Sequence, residues 1–99
     1  MREIDTIVIH CTATPEGRPV SVKEVTSWHQ ARGFATIGYH YLVHQDGRVD
    51  KGRMDWHVGA HVAGHNATSI GIAYVGGLDA DTFKPTDTRT EAQVEALRQ

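Results

Sequence analysis

Ninety-nine residues with a formal charge of −2 allow one small domain and give no basic field to attract nucleic acid. Apolar residues make up 39% and no run of eighteen exists, so the sequence contains no membrane-spanning helix. The single cysteine, Cys11, excludes an internal disulfide and fits a reducing compartment.

The start, Met1-Arg2-Glu3, carries no secretion-signal pattern and runs straight into Thr6-Ile7-Val8-Ile9-His10-Cys11-Thr12. Consecutive β-branched residues predict a buried strand over residues 4–12. His10 sits where this strand emerges, ahead of a turn through Pro15 and Gly17. An imidazole at a strand end is either a metal ligand or a structural group bonded to a nearby carbonyl. Cys11 should point to the opposite face and act as a small buried residue rather than a ligand.

Ser21 with Glu24 forms a capping-box pattern, and Val22, Val25 and Trp28 follow at helical spacing as the core-facing stripe. Gly33 marks the stop. His29, in the last turn, suits a structural role. Residues 38–44 predict a second strand, with Tyr39, Tyr41 and Val43 on one face and His40, Leu42 and His44 on the other. Asp46-Gly47 is a hairpin turn, and residues 49–52 are the return strand.

Seven histidines are present, five of them between positions 40 and 65. His57, His61 and His65 are spaced by four, but Gly59 and Gly64 argue against a helix. Residues 53–68 therefore read as a long loop, whose histidines line a cleft, bond within the loop or form a metal trio. Residues 69–75 are the next strand, where Gly71 and Ala73 make a small face open to close approach by backbone or ligand. A polar loop over 78–89 follows. Thr90 with Gln93 then caps a short helix that runs to Gln99 and must dock or fray.

Several stretches, in this order, resemble the type-2 N-acetylmuramoyl-L-alanine amidases: Ile7-Val8-Ile9-His10-Cys11-Thr12, Trp28-His29, Gly38-Tyr39-His40, Val58-Gly59-Ala60-His61, Asn66, Ser69-Ile70-Gly71-Ile72 and Val75-Gly76-Gly77. That family includes small phage lysis amidases and animal peptidoglycan recognition proteins, and Val75-Gly76-Gly77-Leu78-Asp79 resembles the phage branch. The resemblance implies an α/β architecture, a central mixed α+β sheet flanked by helices with a zinc ion in a cleft at one edge. It implies His10 as the first Zn2+ ligand, Tyr39 as the catalytic phenol beside the metal, and His61 and Asn66 as substrate-binding residues. The implied reaction is hydrolysis of the amide between N-acetylmuramic acid and L-alanine in peptidoglycan. The implied partner is a muropeptide. The lack of a leader pattern predicts accumulation in the cytoplasm before lysis and action on the cell wall, which fits a phage lysis enzyme and also a secreted protein whose leader was removed.

Family members continue past the last matched motif with further zinc ligands, whereas this sequence matches the first ligand only. The expectation is therefore a single amidase-like domain over residues 1–99, equivalent to the N-terminal two-thirds of the family domain. The alternative is a catalytically incomplete binding module or fragment.

Overall fold

The computed structural model describes residues 3–98. Its centre is a four-stranded mixed sheet of order β1-β5-β3-β4, built from β1 (Thr6–Cys11), β3 (Tyr41–Val43), β4 (Val49–Lys51) and β5 (Ser69–Tyr74). β5 pairs in parallel with both β1 and β3, and β3 pairs antiparallel with β4. β2 (Thr14–Pro15) and β6 (Gly77–Leu78) form a small parallel pair inside segments read from sequence as a turn and a loop. Two helices complete the fold: α1 (Val22–Ala31) and α2 (Glu91–Leu97). Among the described residues no helix is long and apolar enough to cross a membrane.

Local signals explain the helix boundaries. Ser21 Oγ accepts the Glu24 N–H while the Glu24 carboxylate accepts the Ser21 N–H, so the capping box is complete. Gly33, with φ of +96°, follows Arg32 and lets the chain leave the helix. The stripe differs from expectation at its third position. Val25 is buried, but the next buried residue is His29, and Trp28 is partly exposed beneath the Arg18 guanidinium. His29 is the better core residue here because its ring nitrogen has a backbone partner, which removes the cost of burying it.

The first strand is a correction to the sequence reading. β1 lies at the sheet edge, and Ile7 and Ile9 are 64% and 50% exposed. The β-branched run therefore marks a strand with one solvated face. Ile4, Ile7, Tyr41, Val43, Ile70 and Ile72 line a groove of about 480 Å³ on that face. The packed core is on the other side, where Val20, Val25, Ile37, Leu42, Ala73 and Val75 are buried under α1.

The second predicted strand is shorter than its pattern. Only residues 41–43 are regular strand, although His40 N–H still donates to Gly71 O and Gly52 N–H to His40 O. The Ala60 backbone approaches Gly38 so closely that any Cβ there would collide with it. This irregularity breaks the alternation. Tyr39 packs on the core cluster, while Tyr41 faces the apolar groove.

α2 carries its own complete capping box at Thr90 and Gln93. It docks through Gln93, whose fully buried side chain donates to Val43 O and Val75 O, bridging the ends of the second and third core segments. Gln99, which the sequence reading includes in this helix, lies outside the described residues. Removing the carboxamide leaves two buried carbonyls with one donor fewer. Gln93→Ala also removes the acceptor of the Thr90 N–H and should lower stability by about 1–3 kcal/mol, read as a reduced denaturation midpoint.

Candidate functional site

The side-chain chemistry gathers on the α1 side of the sheet, at the edge formed by β1. In the parallel register His10 stands opposite Ala73, and Val8 stands opposite Gly71. The side chain of His10 thus emerges over the smallest stretch of β5. The ring of His61 fills the space Gly71 leaves: a Cβ there would lie 2.6 Å from the imidazole. This is the close approach the small face predicts, made by a side chain of the same chain.

His10 and His61 meet directly. His10 Nε2 and His61 Nδ1 are 2.9 Å apart, with the rings edge to face at 5.0 Å between centroids. Tyr39 closes the cluster, its ring 5.3 Å from His10 and 5.1 Å from His29. His61 continues to the buried Ser69, whose Oγ is 3.2 Å from Nε2. Asn66 acts on the loop's backbone: its Oδ1 accepts the N–H groups of His61 and Val62. Three of the four expected site residues therefore share one contact cluster, and the fourth holds the turn that presents His61.

Beside this cluster lies a cleft of about 200 Å³ lined by Cys11, Thr12, Trp28, His29, Arg32 and Tyr39. The larger apolar groove is on the opposite face and contains no histidine; of the expected site residues Tyr39 lines the smaller cleft, and His10 stands in ring contact with it. Cys11 is half-buried rather than fully buried, with its thiol against Gly77.

The environment sets the protonation states. Burial lowers the pKa of His10, which favours a neutral imidazole at neutral pH. His29 is lowered by burial first and by the Arg32 and Arg53 charges second. Burial also raises Tyr39, with the nearby Cys11 adding to the effect and Arg32 opposing it. The phenol thus keeps its proton and remains a donor.

His29, His40 and His44 are structural. His29 Nδ1 accepts the Gly38 N–H at 2.7 Å. His40, fully buried, accepts the Gly71 N–H at Nδ1 and places Nε2 2.8 Å from His57 O. His44 pairs with Asp50. His57, His61 and His65 are not a metal trio: among the described residues no group of three or more His, Cys, Asp or Glu could hold a metal ion. A catalytic zinc takes three protein ligands and keeps one position open. Residues 3–98 supply neutral imidazoles of the right chemistry but do not complete that set.

With the geometry in place, comparison defines the class. The fold matches peptidoglycan-directed amidases and recognition proteins. An N-acetylmuramoyl-L-alanine amidase of Clostridium intestinale superposes with a TM-score of 0.81 at 29% identity, covering 97% of this chain and 57% of that one. The complex of peptidoglycan recognition proteins LCa and LCx bound to tracheal cytotoxin superposes at 0.74 with 39% identity, covering 98% and 58%. The endolysin of Klebsiella phage KP32 is 42% identical over 97 residues, 98% of this chain and 64% of that protein. The sequence profile of the N-acetylmuramoyl-L-alanine amidase family matches residues 1–99. The chain belongs to this family, and it spans less than two-thirds of the length of the curated endolysin.

Two outcomes follow from the geometry. Gly71→Ala should expel the His61 ring. The His61 and His10 ring proton shifts should then change together in NMR spectra, while those of His44 stay in place. For pH, His29 and His10 both have folded-state values below their ordinary one of about 6.5, so the unfolded chain binds more protons. Stability should be complete above about pH 6.5 and fall as pH drops through the window down to the folded values. A denaturant midpoint that stays flat across that range would contradict this.

Proposed function

We propose that this chain carries the catalytic face of a phage endolysin-type amidase that hydrolyses the amide between N-acetylmuramic acid and L-alanine of peptidoglycan. The observation that carries the reading is the convergence of His10, Tyr39 and His61 beside a cleft in a chain of the amidase family. Zn2+ is the proposed cofactor. Its chemistry, when bound, is to lower the pKa of a water and polarise the scissile carbonyl.

The chain's own groups have distinct tasks in this proposal. His10, half-buried and kept neutral by desolvation, offers a lone pair as one zinc ligand. Tyr39, kept protonated by burial, donates a hydrogen bond to the oxyanion that develops on the scissile carbonyl. His61, set against His10 next to the cleft, is the proposed contact for the muropeptide, and Asn66 serves the same substrate side by fixing the His61 turn through its carboxamide oxygen. The neutral-to-acidic charge gives no pull toward anionic wall polymers, so recognition rests on the cleft. The site of action is the cell wall, reached from the cytoplasm at lysis.

A second reading, a muropeptide-binding module, is favoured by one observation. The described residues bring together fewer metal donors than a catalytic zinc requires. The solved complex of recognition proteins with tracheal cytotoxin is of this binding kind.

Incubation with purified peptidoglycan separates the two. The enzyme reading expects new L-alanyl amino termini, detected by amine labelling and mass spectrometry, and their loss with a chelator. His10→Ala should abolish release. Tyr39→Phe should reduce the turnover rate by about 10²–10³-fold with little change in substrate affinity. Muropeptide binding that is indifferent to chelator, with no release, would establish the binding reading instead.

A further inference from the structure

We infer that Ser69 is a positioning residue that fixes the tautomer of His61, so that His61 accepts a hydrogen bond from His10 Nε2 and leaves Nδ1 as the lone-pair nitrogen of His10. The argument is one of proton accounting. Ser69 is fully buried at the first position of β5, and its Oγ lies 2.8 Å from His65 O and 3.2 Å from His61 Nε2. A hydroxyl has one proton and a carbonyl can only accept. The shorter contact takes the proton, so Ser69 donates to His65 O and presents a lone pair to His61. His61 Nε2 must then carry the ring hydrogen.

In a neutral imidazole the other nitrogen is an acceptor. His61 Nδ1 therefore faces His10 with its lone pair, and the 2.9 Å contact is a hydrogen bond donated by His10 Nε2–H. Both rings are Nε2–H tautomers. The order is set from the strand outward: His65 carbonyl, Ser69 hydroxyl, His61, His10. The His61 ring lies over the Gly71 and Gly59 backbones, where a Cβ would crowd it at 2.6 and 2.7 Å.

The consequence for chemistry rests on the amidase reading. A ligating histidine commonly donates its second ring N–H to a fixed acceptor, which sets its orientation and its tautomer. Here His61 is that acceptor, and a metal held by His10 is taken at Nδ1. Ser69 stands in the Ser69-Ile70-Gly71-Ile72 stretch with no role assigned there, yet it determines which nitrogen of His10 is available.

Long-range proton–nitrogen correlation NMR on the isotopically labelled full chain at neutral pH, without metal, tests the inference. Expected are pyrrole-type Nε2 and pyridine-type Nδ1 signals for both His10 and His61. A proton on His61 Nδ1 would overturn it, and this wild-type measurement needs no variant. In Ser69→Ala the His61 proton should redistribute toward Nδ1, and Ser69→Thr, which retains the hydroxyl, should restore the wild-type pattern; an unchanged His61 tautomer in folded Ser69→Ala would also overturn it. Adding Zn2+ then separates this inference from the functional reading. A shift of His10 Nδ1 with Nε2–H retained supports both. Loss of the Nε2 proton on binding overturns the assignment of the ligating nitrogen. Correct tautomers with no response to Zn2+ support the Ser69 inference and count against the metal reading alone.

Discussion

The contact between His10 and His61 depends on a side chain that is missing. Positions 10 and 61 are fifty-one residues apart, and β1 reaches the His61 loop only across the width of β5. Gly71 leaves a lane on that strand wide enough for an imidazole, and Ala73 keeps the next position low beside His10. Any larger residue at 71 would lift His61 off the sheet and remove the partner of His10. Tyr39 gains its place from a similar constraint. The close backbone approach at Gly38 interrupts the strand, turning the phenol to the α1 side rather than into the groove with Tyr41.

Five of the seven histidines fall into two uses. His29, His40 and His44 are buried and anchor irregular backbone or a hairpin, each with a hydrogen-bond partner that offsets its desolvation. Among the described residues no buried side-chain nitrogen or oxygen lacks a partner. His10 and His61 are less buried and face each other beside the cleft. The structural imidazoles therefore build the platform, and Gly71 N–H, which donates to His40, ties the platform to the lane that His61 occupies.

Much of this was legible in the sequence because it is encoded locally. Both capping boxes, the Asp46-Gly47 turn, the strand around 70–74 and the smallness of its Gly71–Ala73 face follow from short-range patterns that the fold preserves. What could not be read depends on partners distant in the chain. The exposure of Ile7 and Ile9 follows from β1 being an edge strand, which strand order decides and residue type does not. The exchange of Trp28 for His29 in the core required knowing that Gly38 N–H would be there to meet the ring. The β2–β6 pair is two residues long on each side and has no periodicity to detect. For the site, motif order pointed to His10, Tyr39, His61 and Asn66, but the role of Ser69 appears only when His65 O and His61 are both in view.

The proposed enzyme and the alternative binding module draw on the same physical features. Burial keeps one imidazole neutral and one phenol protonated, which presents a lone pair and a hydrogen-bond donor a ring-contact apart. Those groups can bind an amide in its ground state as readily as they can stabilise its oxyanion. What raises binding to catalysis is a preference for the transition state over the substrate. Under the proposed zinc reading, a catalytic ion needs three protein ligands and an open position, so the distinction turns on the donors assembled around His10. The surrounding scaffold of capped helices, glycine lane and buried histidines serves either outcome equally well.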